Sequence, residues 1–162
     1  MRATVFRSLE EALGRFGPCA VAIGNFDGVH RGHQALLEAS VRFAKSRQLY
    51  PAVLTFDPHP AAIVAPERLP QAICTLDERI GLLQKYGAER ILVLPFTTDV
   101  ARMTPRGFVS QILVNALETK AVFVGENFRF GHRQSGNTDT LRELGLEFGF
   151  ERKFLEPVTV RG

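Results

Sequence analysis

The chain has 162 residues with a formal charge of +3, 45% hydrophobic and 23% charged side chains. That length suits one folded domain with its own core, and the balance excludes a disordered or fibrous chain. The mild basicity suits an anionic small molecule, and with no run of Lys and Arg it argues against nucleic acid as a partner.

Taken in chain order, Met1-Arg2-Ala3-Thr4-Val5-Phe6 turns polar at once and offers no apolar run of signal-peptide type. The apolar run Ala20 to Gly24 predicts the first strand. His33 to Arg47 predicts a helix, with Leu37, Val41 and Ala44 along one side as core. Ala52 to Phe56 predicts the second strand. Five prolines (Pro51, Pro58, Pro60, Pro66, Pro70) crowd it and its exit, so Pro58 to Pro70 reads as a surface loop or small insertion.

Thr75-Leu76-Asp77-Glu78 then has capping-box spacing, in which hydroxyl and carboxylate satisfy free backbone donors. Gly87 reads as the stop of that helix. Arg90 to Leu94 predicts the third strand. Thr104-Pro105 opens a helix whose Phe108, Ile112 and Leu113 repeat at helical spacing. Ala121 to Gly125 predicts the fourth strand, Thr138 to Phe148 the last helix, and Phe154 to Val158 the fifth strand.

Alternating strands and helices argue for an α/β fold: a doubly wound parallel five-stranded sheet, Rossmann-like, forming a single domain over 1–162. Cys19 and Cys74 are the two cysteines, far apart and without Cys-x-x-Cys spacing, which argues against a disulfide scaffold or zinc ribbon. No stretch approaches the ~20 apolar residues that span a bilayer. The expectation is a cytoplasmic protein with no membrane role.

In an open parallel sheet, ligands bind beyond the carboxyl ends of the strands. Three strand ends here combine Phe with polar groups. The first continues as Gly24-Asn25-Phe26-Asp27-Gly28-Val29-His30-Arg31-Gly32-His33, the second as Phe56-Asp57-Pro58-His59-Pro60, and the fourth as Gly125-Glu126-Asn127-Phe128-Arg129-Phe130-Gly131-His132-Arg133. In the first, Gly24, Gly28 and Gly32 allow close backbone approach to a ligand, and the helix start supplies N–H groups that suit phosphate. His30 and His33, three residues apart, share one face of the first helical turn and can donate to phosphate oxygens. No P-loop and no G-x-G-x-x-G occurs, so phosphate is handled by His rather than Lys.

The stretch Gly24 to His33 meets the nucleotidyltransferase signature G-x-F-D-x-x-H-x-G-H in full. With TFDPHP and VGENFRFG following in order, the chain from about Ala20 to Pro157 resembles the FMN adenylyltransferase (FAD synthetase) domain of bacterial bifunctional riboflavin kinase/FAD synthetases. The resemblance implies transfer of AMP from ATP to the phosphate of FMN, giving FAD and pyrophosphate with Mg²⁺ and no covalent intermediate. It implies that His30 and His33 stabilise the ATP phosphates and that Asn127 lies near the phosphates or metal. Gly24, Asn25, Phe26, Asp27 and Gly32 would line the nucleotide site. Phe56, Asp57, Pro58 and His59, with Phe128, Arg129 and Arg133, would shape the flavin side.

Members of that family usually carry an S-S-T-x-x-R motif after the fifth strand, opening a helix, followed by a riboflavin kinase domain. Here Val160-Arg161-Gly162 comes before any such motif, so the expectation is a chain lacking both. A catalytically incomplete nucleotide- or flavin-binding module is the alternative reading. Transfer to a different phosphate acceptor is weighed against by the Phe-rich rims. Gly136-Asn137 stands where many members have Gly-Asp.

Several residues also have plainer readings. His59 reads either as a site residue or as the shaper of a turn between prolines, and Asp57 as a metal ligand or an Asx turn. Phe128 and Phe130 point the same way, towards core or ligand. Arg129, His132 and Arg133 form either a solvated loop or a phosphate contact. His30, His33 and His59 are zinc-type ligands, but no fourth stands at a suitable spacing, and no metal ligand is assigned.

Overall fold

The computed structural model describes residues 3–155. Short apolar runs form the strands Thr4–Phe6 (β1), Cys19–Ile23 (β2), Tyr50–Asp57 (β3), Arg90–Pro95 (β4), Thr119–Gly125 (β5) and Glu151–Leu155 (β6). They pair in parallel throughout, in the order β1-β4-β3-β2-β5-β6. Every residue of β2 is buried, as expected of a central strand covered on both faces.

The sheet is doubly wound, but it has six strands rather than five. The additional one is β1, which lies on the open edge of β4 with Thr4 opposite Arg90 and Phe6 opposite Leu92. Three residues carry no periodic pattern; what makes them a strand is the unpaired backbone edge of β4, which is distant in sequence. The last strand begins at Glu151, three residues before the expected Phe154, and the part of that expectation beyond Leu155 lies outside the described residues.

The helices are Leu9–Ala12 (α1), Arg31–Ser46 (α2), Ala61–Val64 (α3), Leu76–Lys85 (α4), Thr98–Ala101 (α5), Pro105–Gly107 (α6) and Thr138–Phe148 (α7). One face of the sheet packs Ala20, Ala22, Val53 and Ile91 against Leu36, Leu37 and Ala44 of α2 and Ile80 and Leu83 of α4. The other packs Val21, Ile23, Leu54 and Leu92 against Ile112, Leu113, Leu141 and Leu144. Val41, expected in the core, is half-buried instead and packs where the chain turns at Gly87.

Within Pro58 to Pro70 the chain forms α3 and a 3₁₀ turn at Pro66–Arg68, a small insertion rather than a bare loop. After α6 the chain continues as a π-helical segment, Phe108–Ala116. The spacing of Phe108, Ile112 and Leu113 buries one face under either winding, so it could not distinguish the two. Among the described residues no helix is long and apolar enough to cross a membrane.

The α4 capping box is present. The Glu78 N–H donates to the Thr75 hydroxyl at 3.1 Å, and the Thr75 N–H donates to the Glu78 carboxylate at 3.0 Å. The second of these bonds, from the Thr75 N–H, is the chief reason the Glu78 carboxyl lies below its ordinary pKa. Thr75→Ala is expected to lower stability by about 1 kcal/mol, read from urea unfolding at pH 7.

Candidate functional site

From β2 the chain builds β3 and β4 on one side, then returns to place β5 and β6 on the other. Strand order therefore reverses between β2 and β5, where the crevice beyond the strand ends is open to a ligand. A cavity of about 210 Å³ lies there. Gly24, His30, Gly32 and His33 line it from the β2 side, and Asn127 and Phe128 from the β5 side. At Gly24, Asn127 and Phe128 it meets a cleft of about 970 Å³, which runs past Asn25, Phe56 and His59 to Arg129 and Arg133. An apolar recess of about 120 Å³ shares Phe56 and Phe128 with that cleft and is walled by Phe96, Phe108 and Phe130.

The two histidines form one unit. Their rings stack with centroids 3.6 Å apart at 19°. His30 is the N-cap of α2, its Nδ1 accepting the His33 N–H at 3.4 Å. An accepting Nδ1 carries no proton, so the neutral His30 ring has its N–H at Nε2. His33 meets the edge of the Phe26 ring at 5.0 Å, and its Nδ1 is buried with no partner. Burial, and then the neighbouring His30, push the His33 pKa down to about 4 against an opposing pull from Asp27. At neutral pH His33 is an uncharged N–H donor, and an approaching anion would favour its protonation.

This shift has a measurable consequence. Between the ordinary His value of 6.5 and about 4, the unfolded chain binds a proton at His33 that the folded chain does not. Stability therefore falls as pH drops through that window. His33→Gln should lose less melting temperature than the wild type between pH 7 and pH 5; equal losses would contradict the assignment.

Phe26 is fully buried at a positive φ of 53°, and Val29 follows at 41°. Such conformations are costly for a buried aromatic and a β-branched residue, and strain of this kind concentrates at functional sites. Gly24 leaves room for the Phe26 ring, since a Cβ there would lie 3.2 Å from it. Its absent side chain thus serves packing beneath the site.

Asp27, Asp57 and Pro58 line none of the three cavities. The Asp27 carboxylate accepts the N–H groups of Ile73 (2.8 Å) and Cys74 (3.0 Å) and the Cys74 thiol (3.3 Å). The first of these bonds is the chief reason its pKa lies below the ordinary value. Asp27 clasps the chain ahead of α4 to the signature loop.

His59 closes a turn and also stands on the cleft wall. Its Nδ1 accepts the Ala61 N–H at 3.0 Å, closing the turn, while the residue lines the cleft. Burial, and then the charge of Arg79, lower its pKa. Phe128 and Phe130 stack at 5.4 Å, with Phe130 in the core and Phe128 half-buried between the cavities. Asn137 caps α7 through its side-chain oxygen, a role Asp would fill equally well.

Among the described residues no group of three or more His, Cys, Asp or Glu is placed to hold a metal. The FAD synthetase family model matches residues 15–162. The chain belongs to the FAD synthetase family.

It is 37% identical over 133 residues to the bifunctional riboflavin kinase/FMN adenylyltransferase of Escherichia coli (strain K12), covering 82% of this chain and 42% of that protein. It is 34% identical over 146 residues to the protein of the same name from Haemophilus influenzae, covering 90% of this chain and 47% of the relative. The chain thus spans less than half the length of these curated relatives. The crystal structure of a Streptococcus pneumoniae protein named macrolide-efflux protein matches with a TM-score of 0.83, over 98% of this chain and 53% of that one. At 23% identity this shows a shared fold.

As a member of the FAD synthetase family, the chain has two cleft residues that the sequence patterns did not reveal. Arg68 and Arg102 join Arg129 and Arg133 along the cleft, and no Asp or Glu lines it among the described residues. Arg68 sits in the proline-crowded insertion and Arg102 at the end of the short α5, and neither stands in a motif. An excess of cationic side chains in a concave wall raises the local concentration of anions.

Proposed function

We propose that this chain transfers AMP from ATP to the phosphate of FMN, releasing pyrophosphate and forming FAD. The observation that carries this reading is the stacked His30–His33 pair facing Asn127 across one cavity at the switch point, continuous with a cationic cleft beside an apolar recess.

In this reading ATP lies over Gly24, Asn25, Phe26 and Gly32, with its phosphates towards His30, His33 and Asn127. Asp27 shapes that loop from behind. FMN occupies the cleft, its ring against Phe56 and Phe128 and its phosphate within reach of Arg129 and Arg133, while Asp57, Pro58 and His59 form the turn at its rim. A phosphate oxygen of FMN forms a bond to the α-phosphorus of ATP. The bond from that phosphorus to the bridging oxygen breaks, and pyrophosphate leaves with the electron pair. The imidazole N–H groups oppose the charge that grows on the phosphate oxygens, and holding the two substrates in line supplies most of the remaining acceleration.

Mg²⁺ would neutralise phosphate charge, and the oxygen-bearing side chains of Glu126 and Asn127, which line the same cavity, would help to hold it. The donor set fits an ion held mainly by phosphates and water. We further take 1–162 as one nucleotidyltransferase domain, working in the cytoplasm and linked in the whole protein to a riboflavin kinase, as the names of its relatives suggest.

The test is to incubate the full-length native protein with FMN, ATP and Mg²⁺ and to follow FAD by chromatography and pyrophosphate by a coupled assay. Equimolar FAD and pyrophosphate are expected. Binding of both substrates without FAD would leave a binding module and sink the transferase reading.

A further inference from the structure

Helix α4 carries a cation into the protein interior. Arg79 is 9% exposed, and the ion pairs among the described residues all lie elsewhere, at Arg47–Glu151, Arg106–Glu147 and Arg142–Asp139. Burying a guanidinium without a carboxylate partner is costly, and an apolar residue of similar length would fill the space at lower cost. The explanation lies in what it binds.

Along β3, alternate carbonyls face β2. The Leu54 carbonyl accepts the Gly24 N–H at 3.2 Å, the last rung before the chain leaves the sheet. Two residues on, the Phe56 carbonyl points the same way with β2 already ended at Ile23. Arg79 Nη1 takes that orphaned acceptor at 2.8 Å and the Thr55 hydroxyl oxygen at 3.2 Å. The Thr55 hydroxyl has a single proton, which it donates to the Asn25 carbonyl at 3.0 Å. One guanidinium thus continues the failing ladder and ties α4 to the ends of β2 and β3. Those ends carry Asn25 and Phe56, both of which line the cleft.

We propose that Arg79 is a positioning residue for adenylyl transfer: through Thr55 and the Phe56 carbonyl it sets the separation between the nucleotide loop and the acceptor wall. The proposal rests on the transferase reading for its kinetic consequence and on the hydrogen-bond chain alone for its structural one.

The test uses the full-length protein with Arg79→Met, Arg79→Lys and Thr55→Val. Arg79→Met is expected to lower kcat by about 10- to 100-fold with KM for ATP and FMN changed less than threefold, since misalignment costs rate more than binding. Arg79→Lys, which keeps one donor, should recover part of that loss. Thr55→Val removes the Arg79–Thr55 and Thr55–Asn25 bonds but keeps the one to the Phe56 carbonyl, so it should fall between, and its effect should be smaller when added to Arg79→Met than on its own. In parallel, amide hydrogen exchange over residues 24–27 should quicken in Arg79→Met and Thr55→Val.

Unchanged kcat in both variants of an active wild type, or unchanged exchange at residues 24–27, overturns the proposal. An inactive wild type whose variants still show faster local exchange sinks the transferase reading and leaves the positioning role standing. If Arg79→Met does not fold, Thr55→Val alone decides by the same two readouts.

Discussion

His30→Ala should reduce the rate of FAD formation by about 10²- to 10³-fold, the usual cost of removing one donor aimed at developing phosphate charge. The ring lines the cavity that also holds Asn127, and with Nδ1 committed to the helix start its Nε2 is the donor left for phosphate. Because His30 also caps α2, part of any loss could come from fraying of the helix that carries His33. His30→Asn separates the two effects, since Asn is among the best capping residues and has no imidazole. It should restore the melting temperature to within about 1 °C of wild type, a cap being worth only ~1 kcal/mol, yet leave the rate close to that of the Ala variant. A fully active His30→Asn would assign His30 to helix capping alone. His33→Ala should lose rate to a similar extent, and the double variant should lose little more, because stacked donors act as a unit.

The second large effect is structural and lies at Gly131. Its φ of 80° with ψ of 178° belongs to a region that side chains avoid, and a Cβ there would stand 2.8 Å from Cγ of Pro105 and 2.9 Å from its backbone nitrogen. The next residue, His132, donates its N–H to the Met103 carbonyl at 2.7 Å, so the 128–134 segment is pressed against the start of α6 and cannot move aside. Backbone strain and overpacking together should cost Gly131→Ala about 3 kcal/mol. That corresponds to a fall of about 6–12 °C in melting temperature for a domain of this size. FMN affinity should fall as well, since Arg129 and Arg133 flank the strained turn and line the cleft. A Gly131→Ala protein melting within two degrees of wild type would show that the segment yields freely.

These two positions were not equally visible in the sequence. His30 stands in a ten-residue signature whose spacing places both imidazoles on the first turn of α2, and local helix geometry is enough to bring them together. Gly131 lies within a strand-end string distinguished by Phe and Arg, and nothing nearby in sequence shows that Pro105 occupies the space beside its Cα.

Features that depend on neighbouring residues are legible along the chain. They include the alternation of buried strands and capped helices, the Thr75–Glu78 capping box, the bounds of α7 and the three motif-bearing strand ends. Each follows from side-chain period, a cap or a turn within a few residues. Roles that rest on distant partners emerge only on folding. Thr4–Phe6 is a strand because β4 presents an open edge. Asp27 is a clasp because Ile73 and Cys74 turn their N–H groups towards it. Arg68 and Arg102 become cleft residues because their insertion and short helix lie beside the 128–134 segment. Arg79 is buried because β2 ends before β3 and leaves the Phe56 carbonyl unpaired. Periodicity registers which face of an element is apolar; it does not register which backbone group elsewhere has lost its partner, and at those places the fold alone assigned the roles.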